Sequence, residues 1–135
     1  MSGESEEHTI LVSQLSDFVR KQHGGIGNLA LYVDDQALGR ERPQRIGNHL
    51  PDLYAEDVPR TFVVIGEAKT RLDLITSRSR QQISAFVDYL ALHKAAFFYL
   101  AVPVLATPAA NAFVRELGDR HVRVNMHVLP VEIEY

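Results

Sequence analysis

The chain of 135 residues has no cysteine and no tryptophan. Without thiols there can be no disulfide, no thiolate zinc site and no cysteine nucleophile, and the composition suits a reducing compartment. Long apolar runs are also missing. No stretch approaches the roughly 18–20 residues of a membrane span, and the opening MSGESEEH is polar and acidic where a signal peptide is basic and then apolar. The expectation is a cytoplasmic protein with no membrane partner. Nor is there an excess of basic charge. Fourteen Lys and Arg stand against seventeen Asp and Glu, giving −3 at pH 7, so the chain is not a polycation that coats nucleic acid or anionic lipid. The six histidines show no His-x-x-x-His or Glu-x-x-His spacing, which argues against a zinc enzyme. Gly24-Gly25-Ile26-Gly27 lacks both the G-x-G-x-x-G order and a preceding strand, and reads as a turn.

What remains is ordinary globular material, 46% hydrophobic and 23% charged, enough for one core in one domain. A polar acidic leader over residues 1–8, a candidate for disorder, precedes a single domain over 9–135. Ile10, Leu11, Leu15, Phe18 and Val19 recur at helical spacing before Gly24, which predicts a helix from Thr9 to Gln22. Leu29–Val33 and the continuously apolar Thr61–Ile65 read as strands, the second buried on both faces. Between them 45–55, broken by Gly47 and Pro51, reads as a strand with an irregular or edge portion. A helix over Ser79–His93, a strand over Phe97–Val102, a helix over Pro108–Leu117 capped by Thr107, and a strand over Val122–Val128 complete the series. The order αβββαβαβ implies an α/β fold with a mixed central sheet flanked by helices.

The chemistry gathers at Asp52, in Pro51-Asp52, and at Glu67 and Lys69, in Gly66-Glu67-Ala68-Lys69 directly after the apolar strand. With a side-chain period of two, Glu67 and Lys69 emerge on one face, about 7 Å apart along the chain. A bare E-x-K is most often a surface ion pair. Here it caps one of the most hydrophobic strands, where polar residues are expensive unless paired or functional, and it follows an acid on a preceding strand. Two converging carboxylates repel unless a cation lies between them, and hard oxygen ligands suit Mg²⁺, with Mn²⁺ as substitute. Such an ion, with Lys69 orienting water or stabilising developing charge, points to phosphodiester hydrolysis.

These residues resemble the signature of the PD-(D/E)XK nuclease superfamily, which includes type II restriction enzymes, archaeal Holliday-junction resolvases and many repair nucleases. The resemblance covers nearly the whole chain: Pro51-Asp52 and Glu67-Ala68-Lys69 stand in the motif positions, and the predicted element order contains the restriction-endonuclease-like core. It implies Asp52 and Glu67 as metal ligands, the Ala68 carbonyl beside them, and Lys69 as the catalytic lysine. It also implies a catalytic-site glutamine on the following helix, Gln82 with Gln81 as second choice, and a further acid from the first helix, Glu7 or Glu6. The implied activity is a small metal-dependent endonuclease acting on DNA, with RNA left open and a homodimer expected. The alternative is a non-catalytic nucleic-acid-binding or assembly module that keeps the fold.

Arg71, Arg78 and Arg80, with Ser77 and Ser79, lie just after Lys69 and at the start of a helix, where guanidinium, hydroxyl and amide groups all suit phosphate. Ser77 or Ser79 equally serves as an N-cap. Arg40, Arg42 and Arg45 form a weaker patch, diluted by Glu41, and a plain solvated loop is the better reading there. Asp73 reads as a turn residue, His49 as the histidine nearest the chemistry, and Phe97-Phe98-Tyr99 as core rather than a stacking platform. Glu4, Glu6 and Glu7 account for the whole acidic excess, so residues from His8 onward are neutral. One divalent ion would turn that body positive beside Lys69, and DNA affinity should then depend on metal.

Overall fold

A computed structural model describes residues 5–34 and 42–134. The first helix, α1 (Glu6–His23), begins where the Ser5 hydroxyl accepts the His8 N–H at 3.0 Å. It carries Glu6 and Glu7 in its first turn and Arg20, Lys21 and His23 in its last, complementing the helix dipole at both ends. This corrects the boundary expected at Thr9: Glu6, Glu7 and His8, assigned above to a leader, are helical. Strands β1 (Ala30–Val33), β2 (Leu53–Glu56) and β3 (Phe62–Ala68) follow, each pairing antiparallel with the next. The strand expected over 45–55 shortens to β2. Within 45–52 the chain makes a tight turn closed by Ile46 and His49, with Gly47 at φ +62°, a conformation glycine tolerates without a Cβ penalty.

After β3 come the short helix α2 (Arg71–Leu74), α3 (Ser77–Leu90), β4 (Ala95–Pro103), a 3₁₀ turn (Val104–Ala106), α4 (Thr107–Gly118) and β5 (Asn125–Val131). β4 is parallel to β3, and β5 to β4, so the five strands lie in the order β1-β2-β3-β4-β5 in one mixed sheet. Helix α2 was not anticipated; Thr70 caps it by accepting the Asp73 N–H at 3.3 Å, which places Asp73 in a helix rather than a turn. Thr107 is not the N-cap of α4. Ala106 holds that place, and the Thr107 hydroxyl is buried with no hydrogen-bond partner among the described residues.

The strand period of two explains the apolar runs. Val63 and Ile65 of β3, with Ala96, Phe98, Leu100 and Val102 of β4, face α3 and α4; Val64 and Ala68, with Tyr99 and Ala101, face α1. The central strands are therefore apolar on both sides, as in a helix–sheet–helix sandwich. Gly66 lets α1 come close. A Cβ built there would lie 2.8 Å from Leu15 Cδ2. The Phe97-Phe98-Tyr99 run lies within this sandwich, with Phe98 and Tyr99 buried and Phe97 partly so. Among the described residues no helix is long and apolar enough to cross a membrane.

Candidate active site

The register of the β2–β3 pair builds the site. Leu53 stands opposite Gly66, so Asp52 falls beside Glu67 just past the end of the ladder. The Asp52 backbone N–H donates to Glu67 Oε1 at 2.9 Å, and the Ala68 N–H donates to Asp52 Oδ2 at 2.8 Å. Each acid is thus held by the other's strand. Both are buried, with Asp52 7% and Glu67 2% exposed, a position that polar groups occupy only when hydrogen-bonded or functional.

Lys69 continues the strand past β3, its N–H donating to Ala101 O at 3.0 Å. That puts its side chain on the same face as Glu67. Lys69 Nζ lies 3.3 Å from Glu67 Oε2 and donates to Gln82 Oε1 of α3 at 2.6 Å. Gln82, not the exposed Gln81, therefore meets the lysine. Burial, and after it the negative charge of Asp52, pushes the Glu67 carboxyl well above the usual carboxylate range, while Lys69 pulls it back.

A polar groove of about 750 Å³ opens over this cluster, lined by Asp52, Glu67, Lys69 and Gln82, with Thr70, Thr76, Arg78 and Ser79 along one wall and Ser5 and His8 along another. Not all the basic and hydroxyl residues singled out above reach it. Arg78 and Ser79 line the groove, whereas Arg71, Ser77 and Arg80 do not. Arg80 is turned to α4, where it lies over the Phe113 ring at 4.9 Å and pairs with Glu116 at 3.8 Å. The N-cap of α3 is Thr76, whose hydroxyl accepts the Ser79 N–H at 3.1 Å, so neither Ser77 nor Ser79 fills that role. Arg42 pairs with Asp34, Arg45 is exposed beside Asn48, and Arg40 lies outside the described residues. His49 packs edge-on against Phe86 and does not line the groove.

The first helix contributes a residue the sequence reading passed over. Glu7 does not line the groove; His8 does, its Nε2 3.4 Å from Asp52 Oδ2. A signal was present, because His8 extends the stripe of Leu11, Leu15 and Val19 at helical spacing and so belongs to the sheet-facing side of α1.

The donor set fits a hard divalent ion. The Ala68 N–H and the His8 imidazole both meet Asp52 at Oδ2. The Ala68 N–H points toward Asp52, and strand geometry turns the carbonyl of the same residue to that edge as well. Among the described residues no group of three or more His, Asp and Glu gathers to hold a metal. Asp52 and Glu67 are the two carboxylates that could hold an ion, and Mg²⁺ is commonly held by one or two carboxylates with several waters. No protein family, curated protein or solved structure matches the chain.

Proposed function

We propose that this protein is a divalent-metal-dependent nuclease on a restriction-endonuclease-like core, hydrolysing phosphodiester bonds in DNA. One observation carries the reading: two buried acids hydrogen-bonded across adjacent strands, with a lysine ammonium 3.3 Å from one of them, at the floor of an open polar groove. Asp52 and Glu67, with the Ala68 carbonyl, would hold Mg²⁺ or Mn²⁺, which when bound supplies Lewis-acid polarisation of the phosphate and a lowered pKa for its water. Lys69 orients the attacking water and stabilises charge growing on the phosphate oxygens. Gln82 positions Lys69 by accepting from its ammonium. Arg78, Ser79 and the first amides of α3 hold a neighbouring backbone phosphate. The proposed setting is the cytoplasm, a reducing compartment that a cysteine-free composition suits.

A second reading, a non-catalytic nucleic-acid-binding or assembly module, draws on the protein donors each acid already has. Cleavage assays separate the two. Wild-type protein with Mg²⁺ or Mn²⁺ should cut at least one of supercoiled, linear, branched or single-stranded DNA, and Glu67→Ala and Lys69→Ala should each lose about 100-fold or more. Wild-type protein that cuts none of these, or RNA, with either ion excludes the nuclease.

A further inference from the structure

A second cavity, of about 330 Å³, shares no lining residue with the candidate active site. Tyr32 of β1, Tyr54 and Glu56 of β2, and Arg42, Gln44 and Arg60 enclose it. The β1–β2 register sets Tyr32 opposite Tyr54, and Glu56 follows on the face of Tyr54 because the side-chain period is two. The volume lies at the lower end of small-molecule sites.

One chain of hydrogen bonds fixes which lining groups donate and which accept. The Tyr54 hydroxyl, on a residue only 1% exposed, gives its single proton to Glu56 Oε1 at 2.7 Å. The 2.8 Å bond between the Tyr54 and Tyr89 hydroxyls must then be donated by Tyr89. With that proton spent, Tyr89 accepts from Gln44 Nε2 at 3.2 Å, and Oε1 is the end of the Gln44 amide able to accept. Burial, and after it the hydrogen bonds with Tyr89 and Glu56, raises the Tyr54 pKa, so the hydroxyl keeps its proton. Arg60 Nε also meets Glu56 Oε1, at 2.9 Å. A carboxylate has about four acceptor positions, so Glu56 can take a further donor.

The cations are placed with equal care. Arg60 sits at φ +72°, backbone that glycine or asparagine usually supplies. Asp57 holds the turn around it, its carboxylate accepting the Thr61 and Phe62 N–H groups at 2.8 Å each. A guanidinium is thus kept at the cavity where a smaller residue would suit the backbone better. Arg42, whose Nε lies 3.4 Å from Asp34, brings the second.

We infer that this cavity binds a nucleoside monophosphate whose base carries an exocyclic amino group. Two guanidiniums against one carboxylate leave the lining positive for the phosphate, and the half-buried Tyr32 ring offers the base a stacking face. Glu56 and Gln44 Oε1 accept from the amino group, as carboxylates do from cytosine and amides from adenine. Thymine presents a carbonyl there and would set acceptor against acceptor. The same chemistry comes from a free mononucleotide or from an unpaired nucleotide in a strand. The inference does not rest on the nuclease reading, and its test needs no cleavage.

Calorimetric titration in chelator should show saturable binding of dCMP and dAMP, with dTMP at least about fivefold weaker. Amide shifts on adding dCMP should move at Tyr32, Glu56 and Arg60 and stay still at Asp52 and Glu67. Tyr32→Ala, and Arg60→Gly, which removes the guanidinium while relaxing the backbone, should each weaken dCMP about tenfold. Glu56→Gln, which replaces an acceptor by an NH₂ group, should erase the preference over dTMP. A single-stranded deoxycytidine hexamer that binds more tightly than dCMP, by more than the about sixfold that its number of bases gives, identifies a strand as the source; a hexamer below that margin identifies the free mononucleotide. Either result supports the site. Wild-type protein that binds no nucleotide, that shifts only around Asp52 and Glu67, or that binds dTMP or inorganic phosphate as tightly as dCMP overturns the inference.

Discussion

Asp52 gives its backbone N–H to the Glu67 carboxylate at 2.9 Å, so two acids that would repel one another are fastened across the β2–β3 ladder. Glu67 carries the consequence. Its carboxyl is raised by burial first and by the Asp52 charge second, so the folded state binds its proton more tightly than the unfolded chain does. In metal-free buffer this contribution to stability is full below the ordinary carboxylate range and is lost as pH rises through the raised value. Glu67→Gln should flatten that decline and stabilise the metal-free protein at neutral pH by on the order of 1 kcal/mol. Urea unfolding in chelator across pH 4–8 measures it; a variant with the wild-type slope would show that Glu67 is not the group responsible.

Lys69 and Gln82 should separate by magnitude. Lys69 touches the proposed reacting atoms and Gln82 acts only through it, by one hydrogen bond of 2.6 Å. Lys69→Met is expected to lower the metal-dependent cleavage rate about 100-fold to 1000-fold, and Gln82→Ala about tenfold. Initial rates under saturating Mg²⁺ decide the order. Equal losses would place Gln82 in direct contact with substrate.

Gly66 is required by packing, not by backbone conformation. A methyl group there would meet three atoms of Leu15 at 2.8–3.2 Å, and Leu15 is fully buried. Gly66→Ala should cost about 1–3 kcal/mol by pushing α1 off β3. Gly66→Ala combined with Leu15→Ala should recover part of the clash while losing the leucine's burial, a non-additivity that thermal unfolding can read.

The far end of α1 titrates. His23 Nε2 is 2.7 Å from the Tyr99 hydroxyl in a buried aromatic cluster with Phe62 and Phe97. Burial, and then the nearby His127, lowers its pKa. The unfolded chain therefore takes up a proton that the folded chain refuses. Stability should fall as pH drops from the ordinary histidine value of about 6.5 through the lowered one. In His23→Gln that acid-side decline should shrink. An identical pH profile of the melting temperature in the variant would assign the decline to other groups.

DNA affinity should follow the ion. Residues from His8 onward are neutral without metal, and the groove's acids oppose a phosphate until a cation sits between them. Mobility shifts with a cleavage-deficient Lys69→Ala chain should be at least several-fold stronger in Ca²⁺ than in chelator; equal binding would contradict a metal-borne phosphate site.

Much of the fold was legible because its signals are local. The continuously apolar 61–65 and 97–102 announce strands buried on two faces, and the same period puts Glu67 and Lys69 on one side. Helix α4 is punctuated by Pro108 and Gly118, although its cap is Ala106 and not Thr107, since the preceding 3₁₀ turn takes the chain into the helix one residue early. Helix α2 was missed because four residues are too few to show a helical period, and its N-cap Thr70 and C-cap Ile75 carry no distinctive stop signal. The strand expected from residue 45 was overextended because Ile46 and Leu50 mimic its alternation, while a turn between Ile46 and His49 uses those backbone groups internally.

The sequence by itself determined the acid–lysine face, the helix–sheet–helix pattern and the shortage of charge that makes any phosphate site local, because periodicity, composition and capping depend on neighbours along the chain. Tertiary structure alone decided that Asp52 lies beside Glu67, that Gln82 holds Lys69, that His8 rather than Glu7 reaches the groove, and that Arg80 leaves it for Phe113. Those outcomes depend on the β2–β3 register and on how α1 and α3 dock. Both bring together residues far apart in sequence, as where Leu53 stands opposite Gly66 and where Leu15 of α1 meets Gly66.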